Sequence, residues 1–281
     1  MIKNQVTCVW KLDYAYNQNS EFAESIFKAN SDGSIALHHR DTDYLGTWIF
    51  LFINESLYLN INIAGTSDVA QKWNQNYEVT VLNQNFMQIN FGNIQQIFKK
   101  RCSNTLNYTI GETGPTSGII AYDKGQYTNG WRYIEVAQND MVNEEWGCDQ
   151  SQIEDAEYDA IGTGYQNIIA NMQFHNNLTN YYLNPIICSV TSDGSVSAKT
   201  ALTYMVNAND WFIPSIDELV IIRNNLSTLN LGNFDNTGYY WSFTENDATN
   251  LKTIDFSNEQ SVPSLKVLIP NTTKVRCIRY F

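Results

Sequence analysis

No stretch of the chain approaches the ~18 uninterrupted apolar residues that a membrane-spanning helix needs; the longest, Gly46 to Ile53, stops at Asn54 and Glu55. Histidine is scarce, with only His38, His39 and His175, and none of the five cysteines stands in a C-x-x-C pair. Zinc-finger and dithiol redox spacings are therefore excluded. The sequence also lacks G-x-S-x-G, H-E-x-x-H and a phosphate-binding glycine loop, so the common nucleophile, metalloprotease and nucleotide signatures are missing. Basic residues are outnumbered, 17 Lys and Arg against 29 Asp and Glu, a net charge of -12. That balance excludes an electrostatic grip on nucleic acid or on an anionic bilayer.

What is present suffices for a folded chain. Hydrophobic residues make up 43% and charged residues only 16%, which excludes wholesale disorder. A length of 281 residues leaves room for two ordinary domains. The charge divides unevenly between them. Through Tyr108 there are 8 Lys and Arg against 9 Asp and Glu, and from Thr109 onward 9 against 20. The start, from Met1 to Trp10, has no apolar core for a secretory leader, so either a signal peptide was removed from this numbering or export does not use one.

From Cys8 to Cys102 short apolar or alternating runs are separated by turn residues such as Asn30 to Gly33, Asn54 to Ser56 and 82–85. About seven strands without a long helix predict an antiparallel barrel or sandwich. Cys8 and Cys102 stand at its two ends and could close it. Trp10, Phe27, Trp48 and Phe86 are the expected interior aromatics. A boundary falls near 107, giving domains at 1–107 and 108–281. Beyond it helix signals appear: Tyr165 to Met172 forms one candidate, and Ser215 with Glu218 three residues on reads as a capping box opening an amphipathic helix. Alternation in Tyr239 to Phe243 and Val275 to Arg279 predicts strands, the second with Arg276 and Arg279 exposed.

The first segment resembles the lipocalin-like β-barrel domains of bacterial surface proteins. The resemblance rests on Trp10, the "NSDGS" turn at 30–34, "GTW" at 46–48, "SLYLNI" at 56–61 and "NFMQI" at 85–89. The remainder resembles the C-terminal domain of collagen-like bacterial adhesins, within the C-type-lectin-like group. Its stretches are "GETGPTSGIIAY" at 111–122, "EWGC" at 145–148, "AIGTGYQN" at 160–167, "DWFIPSIDEL" at 210–219, "YYWSFTE" at 239–245 and "VRCIR" at 275–279. The expected class is therefore mainly β, a lipocalin-like barrel followed by an α+β lectin-like domain. The resemblance implies a secreted or surface-displayed protein, a homotrimer formed through the second domain, and binding of host glycans, sulfated ones included. The chain departs from the pattern in its cysteines, with none near Met172 and Thr200 and an Asn/Tyr-rich insertion, about His175 to Ser197, that carries Cys188. This admits a Cys148–Cys188 bridge and a buried, unpaired Cys277.

The formylglycine-generating relatives of the fold depend on a cysteine pair that has no counterpart here, and the histidines suit no catalytic arrangement, so a non-enzymatic role is expected. Trp211 and Trp241 are expected as packing residues. Seven carboxylates fall between Glu144 and Asp159 with no base among them. Hard oxygen ligands of this kind suit Ca²⁺, with Asp149, Glu154, Asp155 and Asp159 as its candidate ligands; the alternative is a solvated acidic loop. In lectin-like folds the ligand meets the loop between late strands, which points to Glu245, Asn246, Asp247 and Asn250, with Tyr239. An acidic second domain fits a neutral glycan or a host surface protein better than a polyanion. The competing reading is an envelope structural or assembly protein whose barrel carries a small apolar ligand.

Overall fold

A computed structural model describes residues 8–12, 25–39, 42–82, 86–92, 94–102, 106–142, 144–188, 192–203, 211–267 and 273–281. The turn expected at 83–85 and Asp210 lie outside them. The architecture is mainly β: a closed eight-stranded antiparallel barrel, and a second region with helices and two smaller sheets. The chain divides into two compact units, Met1–Leu106 with Gln126–Arg132 and Phe281, and Asn107–Gly125 with Tyr133–Tyr280.

The barrel strands are β1 (Cys8–Leu12), β2 (Ser25–Ala29), β3 (Ser34–His39), β4 (Thr42–Ile53), β5 (Ser56–Ile63), β6 (Asn76–Leu82), β7 (Phe86–Phe91) and β8 (Ile94–Cys102), each hydrogen-bonded to the next and β8 to β1. Strand β8 escapes a reading from periodicity because its end, Lys99 to Arg101, is polar; it is held by Phe98, which is fully buried. Cys8 lies directly opposite Cys102 in the closing β1–β8 pair, and the two are disulfide-bonded. A short helix between β5 and β6, α1 (Asp68–Trp73), was not expected. Ser67 caps it by accepting from the Ala70 N–H, and it delivers Trp73 to the interior.

That tryptophan changes the composition of the core. Phe27, Trp73 and Phe98 form a triangle with ring centroids 5.2–5.9 Å apart, and Tyr77 stands 6.0 Å from Trp73. Leu37, Leu59, Ile61 and Ile89 are among the other buried side chains, each contributing roughly 1.5–3 kcal/mol. Of the four aromatics expected inside, only Phe27 is fully buried. Trp10, Trp48 and Phe86 are half-buried, while Met87 takes the buried place beside Phe86. The indole of Trp48 instead braces the turn before β3, donating to the Asn30 carbonyl at 2.9 Å. Side chains, led by Trp73, occupy the barrel interior.

Strands β9 (Ile119–Thr128), β10 (Trp131–Val136) and β15 (Ile278–Tyr280) form one sheet in the order β15-β10-β9. The other is β13 (Ser261–Leu265), β12 (Asn250–Asp255), β11 (Tyr239–Glu245) and β14 (Thr273–Lys274), with β11 and β14 parallel. The helices are α2 (Gly164–Asn177), α3 (Ser197–Thr203) and α4 (Ile216–Asn225). Both halves of the Ser215–Glu218 capping box form at the start of α4. Helix α3 gave no amphipathic signal beyond small residues, yet Ala198, Ala201 and Leu202 are buried at helical spacing. Trp211 and Trp241 are buried at 0% and 1% exposure, and β11 is buried along its length after Tyr239. Its alternation therefore marks two buried faces, not one.

The "GETGPTSG" segment folds around a buried carboxylate. Thr116 and Gly118 donate their N–H groups to Glu135 Oε1 at 3.0 and 2.8 Å, and Arg279 closes the other side on Oε2 at 3.0 Å. A Cβ at Gly118 would stand 2.5 Å from the Val136 carbonyl oxygen, which is backbone and cannot give way. Gly118→Ala should therefore cost the second unit about 1–3 kcal/mol, read as a lower urea midpoint with an unchanged slope. A midpoint equal to wild type would show that the loop has room.

Candidate functional site

The five late-strand residues do not form one site. Asn246, Asp247 and Asn250 share a tight turn joining β11 to β12, whereas Tyr239 lies at the other end of β11, roughly 20 Å away by strand rise. Tyr239 is half-exposed there. In the turn the Asp247 carboxylate collects the N–H groups of Thr249 and Asn250 (both 2.9 Å), the Thr249 hydroxyl and the amides of Asn246 (2.8 Å) and Asn250. These donors, the Thr249 N–H first among them, hold its pKa far below the usual carboxylate range. The result is a preformed, anionic turn with Asn246 exposed.

Glu245 faces the other way. It is buried and ion-paired with Lys266, itself fully buried, and both its carboxylate oxygens accept from the Ile153 N–H at 3.0 Å. Lys266 donates further to the Ser151 carbonyl at 2.7 Å and lies over the Trp146 ring. Glu245 is thus withdrawn from any surface ligand, and its task is to tie the acidic loop to β11. Nothing in the residue pattern separated it from its exposed neighbour Asn246; a lysine set between Leu265 and Val267 was the available hint of a buried cation.

The four proposed Ca²⁺ ligands are not gathered around a common point. Among the described residues no group of three or more His, Cys, Asp or Glu side chains could hold a metal ion. Asp159 is engaged with the Lys252 ammonium at 2.6 Å, and Asp155 accepts from the Tyr158 hydroxyl at 2.9 Å. The loop is instead closed by backbone anchors and by Glu245, leaving Gln152, Glu154 and Glu157 outward. The backbone ties this loop to β11 through the Glu245 N–H, which donates to the Ala156 carbonyl at 2.8 Å, and the exposed residues of the loop and of the 246–250 turn are carboxylates and amides.

The arginines expected on the outer side of the last strands are internal. Arg276 is 1% exposed; it donates to Asp140 at 2.6 Å and to the carbonyls of Ala137, Gly232 and Asn233. Arg279 binds Glu135, and Lys274 pairs with Asp235 at 2.8 Å, lowering the Asp235 pKa to about 2. Alternation failed here because the segment between β14 and β15 is irregular, so Arg276 is turned inward. No exposed basic patch arises at 274–279.

His175 proves to be a residue of α2 and not of a polar insertion. It is fully buried, its Nδ1 bonded to the Asn171 carbonyl and its Nε2 accepting the Cys148 N–H at 2.8 Å. Cys148 is bridged to Cys188, and Cys277 is free and buried. Burial pushes the His175 pKa from 6.5 down to about 4, with the Lys266 charge adding to it. The unfolded chain therefore takes up this proton first, so the contribution of a neutral His175 is complete above about pH 6.5 and is lost as the pH falls toward 4. Glu145 opposes it: burial, then the nearby Asp193, push its carboxyl up to about 7, so acidification from there relieves a cost. Removing that second group in Glu145→Gln should expose the histidine: stability should fall on the order of 3 kcal/mol between pH 6.5 and 4, apart from the carboxylates shared with wild type. Parallel pH–stability curves for the two proteins would contradict this pairing.

No protein-family model and no curated protein sequence matches the chain.

Proposed function

We propose that the chain is a non-enzymatic binding protein, secreted or displayed on a bacterial surface, which recognises a neutral glycan or a host surface protein through the outward face of its second unit. The carrying observation is the fate of the bases there. Arg223, Lys252, Lys266, Lys274, Arg276 and Arg279 are each ion-paired to a carboxylate of the same unit. What remains outward at 152–157 and 246–250 is carboxylate and amide, which accept hydroxyl protons and repel sulfates. A polar face of this kind, with Asn246 and Asp247 fixed by the turn, suits hydrogen bonding to vicinal hydroxyls of a sugar.

The barrel fits a lipocalin-like module by strand number and closure; with Phe27, Trp73, Tyr77 and Phe98 packed inside, it serves as a scaffold in this reading and not as a carrier of an apolar ligand. The second unit is read as a C-type-lectin-like domain from its motifs. Two disulfides fit an oxidising, extracytoplasmic location, and no helix among the described residues is long and apolar enough to cross a membrane. The chemistry of catalysis finds little support, since the buried His175, Glu218 and Glu245 are each consumed by internal hydrogen bonds.

The direct test is a screen of the whole chain against immobilised neutral and sulfated glycans alongside extracellular matrix proteins. Hits among neutral glycans or proteins, lost in Asn246→Ala, support the reading. Turnover of any hit, or hits confined to sulfated polysaccharides, would overturn it.

A further inference from the structure

The buried Glu245–Lys266 pair is short of hydrogen-bond partners for two full charges. An ammonium carries three donors and a carboxylate about four acceptor sites. Among the described residues, Lys266 Nζ bonds Glu245 Oε1 and, at 2.7 Å, the Ser151 carbonyl, while the Trp146 ring centroid lies 4.9 Å from it. Besides that ammonium, Glu245 receives the Ile153 N–H, 3.0 Å from each of its oxygens. Both side chains are out of water, at 0% and 1% exposure. One carbonyl acceptor and one N–H donor are what a secondary amide needs, having one N–H to give and one C=O to accept. The surroundings therefore match the condensation product of the pair better than the pair itself.

The backbone holds the two groups in contact. Glu245 ends β11, and its N–H donates to the Ala156 carbonyl at 2.8 Å. Lys266 follows β13; its N–H donates to the Thr249 carbonyl at 3.0 Å and its carbonyl accepts from the Trp146 N–H at 2.9 Å. Reactants fixed in this way reach effective concentrations of up to about 10⁵–10⁸ M. Burial favours the uncharged form of each, lowering the Lys266 pKa and raising that of Glu245. The ion pair also carries a desolvation penalty that a neutral amide escapes.

We propose that Glu245 and Lys266 condense in the folded chain to an intramolecular isopeptide bond, closing covalently the segment that carries the 246–250 turn. A proton passes from Lys266 Nζ to the Glu245 Oε1 it touches, leaving a free amine and a carboxylic acid. The Nζ lone pair attacks Glu245 Cδ, while the Ile153 N–H stabilises the charge developing on Oε2. The Cδ–Oε1 bond breaks, a second Nζ proton leaves with that oxygen, and one water is released; no oxidant or cofactor takes part. In the product the amide N–H donates to the Ser151 carbonyl and the amide oxygen accepts from Ile153. Exclusion of bulk water opposes the reverse hydrolysis. The chain folds with the ion pair and the amide forms from it afterwards. Lys266 is buried and neutralised in either form, so the proposal is independent of the glycan-binding reading.

The test is the intact mass of the whole folded chain, reduced and denatured just before measurement. It should lie one water below the sequence mass, and tandem spectra of a tryptic digest should show the peptides of Glu245 and Lys266 joined. The loss should grow at a rate independent of protein concentration, as an intramolecular step requires. Chain taken into urea from inclusion bodies without ever folding should keep the full mass. So should Lys266→Arg, which sets a cation against Glu245 but has no nucleophilic amine. Wild type that still has its full sequence mass when further incubation of the folded chain changes nothing would overturn the proposal. A water loss mapped to Asp32–Gly33 or Asp193–Gly194, where an aspartyl succinimide weighs the same, would overturn it too, as would a loss that persists in Lys266→Arg.

Discussion

Lys266→Met should lower the stability of the second unit by about 3–5 kcal/mol, the largest effect expected of any single substitution in this chain. Lys266 is fully buried, and its ammonium is the charge partner of Glu245, with the Ser151 carbonyl as its other acceptor. Methionine fills the space but leaves the Glu245 carboxylate in the interior with only the Ile153 N–H. Burial already raises the Glu245 pKa against the pull of Lys266. Without the ammonium it rises further, so the variant should regain stability as the pH is lowered and the folded carboxyl takes a proton before the unfolded one. The companion Glu245→Gln in the same chain should recover much of the loss, since a neutral pair needs no counter-charge. Urea denaturation of the two single variants and the double variant measures this coupling. Additive losses would mean that the pair contributes through packing alone.

The second large effect belongs to the barrel. Cys8 and Cys102 join the first and last strands across 94 residues. Opening a loop of that length restores unfolded-chain entropy equivalent to about 4–5 kcal/mol. A Cys8→Ser, Cys102→Ser double variant should therefore melt its barrel well below wild type, while the second unit, with its own Cys148–Cys188 bridge, keeps its transition. Calorimetry should resolve two transitions of which only one moves. A shift of both, or of neither, would contradict the division of labour between the bridges.

These effects sit at residues that differ in how far they could be read from sequence. The first seven strands of the barrel follow from short alternating or apolar runs, and the α4 start from Ser215 and Glu218, because both are local patterns with one physical cause. The Cys8–Cys102 bridge was legible only as a spacing, with the register of β1 against β8 making it, and Cys148–Cys188 only as a departure from the cysteine pattern of the resembled family. Trp73 and His175 were not legible: each sits in a polar surrounding, and its burial depends on partners far along the chain, Phe27 and Phe98 for one and Cys148 for the other. The same applies to charge. Alternation assigned Arg276 and Arg279 to the outside, but Asp140 and Glu135, more than a hundred residues upstream, draw them in. Of the candidate binding residues, Asn246, Asp247 and Asn250 share the turn between β11 and β12, whereas Glu245, one residue before it, is buried against Lys266.

In the proposed function the exposed residues of 152–157 and 246–250 bind an uncharged partner. The sharpest test is the affinity of the chain, by titration calorimetry, for one neutral oligosaccharide and for its sulfated form at low and at high salt. The neutral form should bind with little dependence on salt, sulfation should weaken binding, and Asp247→Ala should cost at least tenfold, about 1.4 kcal/mol. Tighter binding of the sulfated form, falling steeply with salt and indifferent to Asp247, would contradict it.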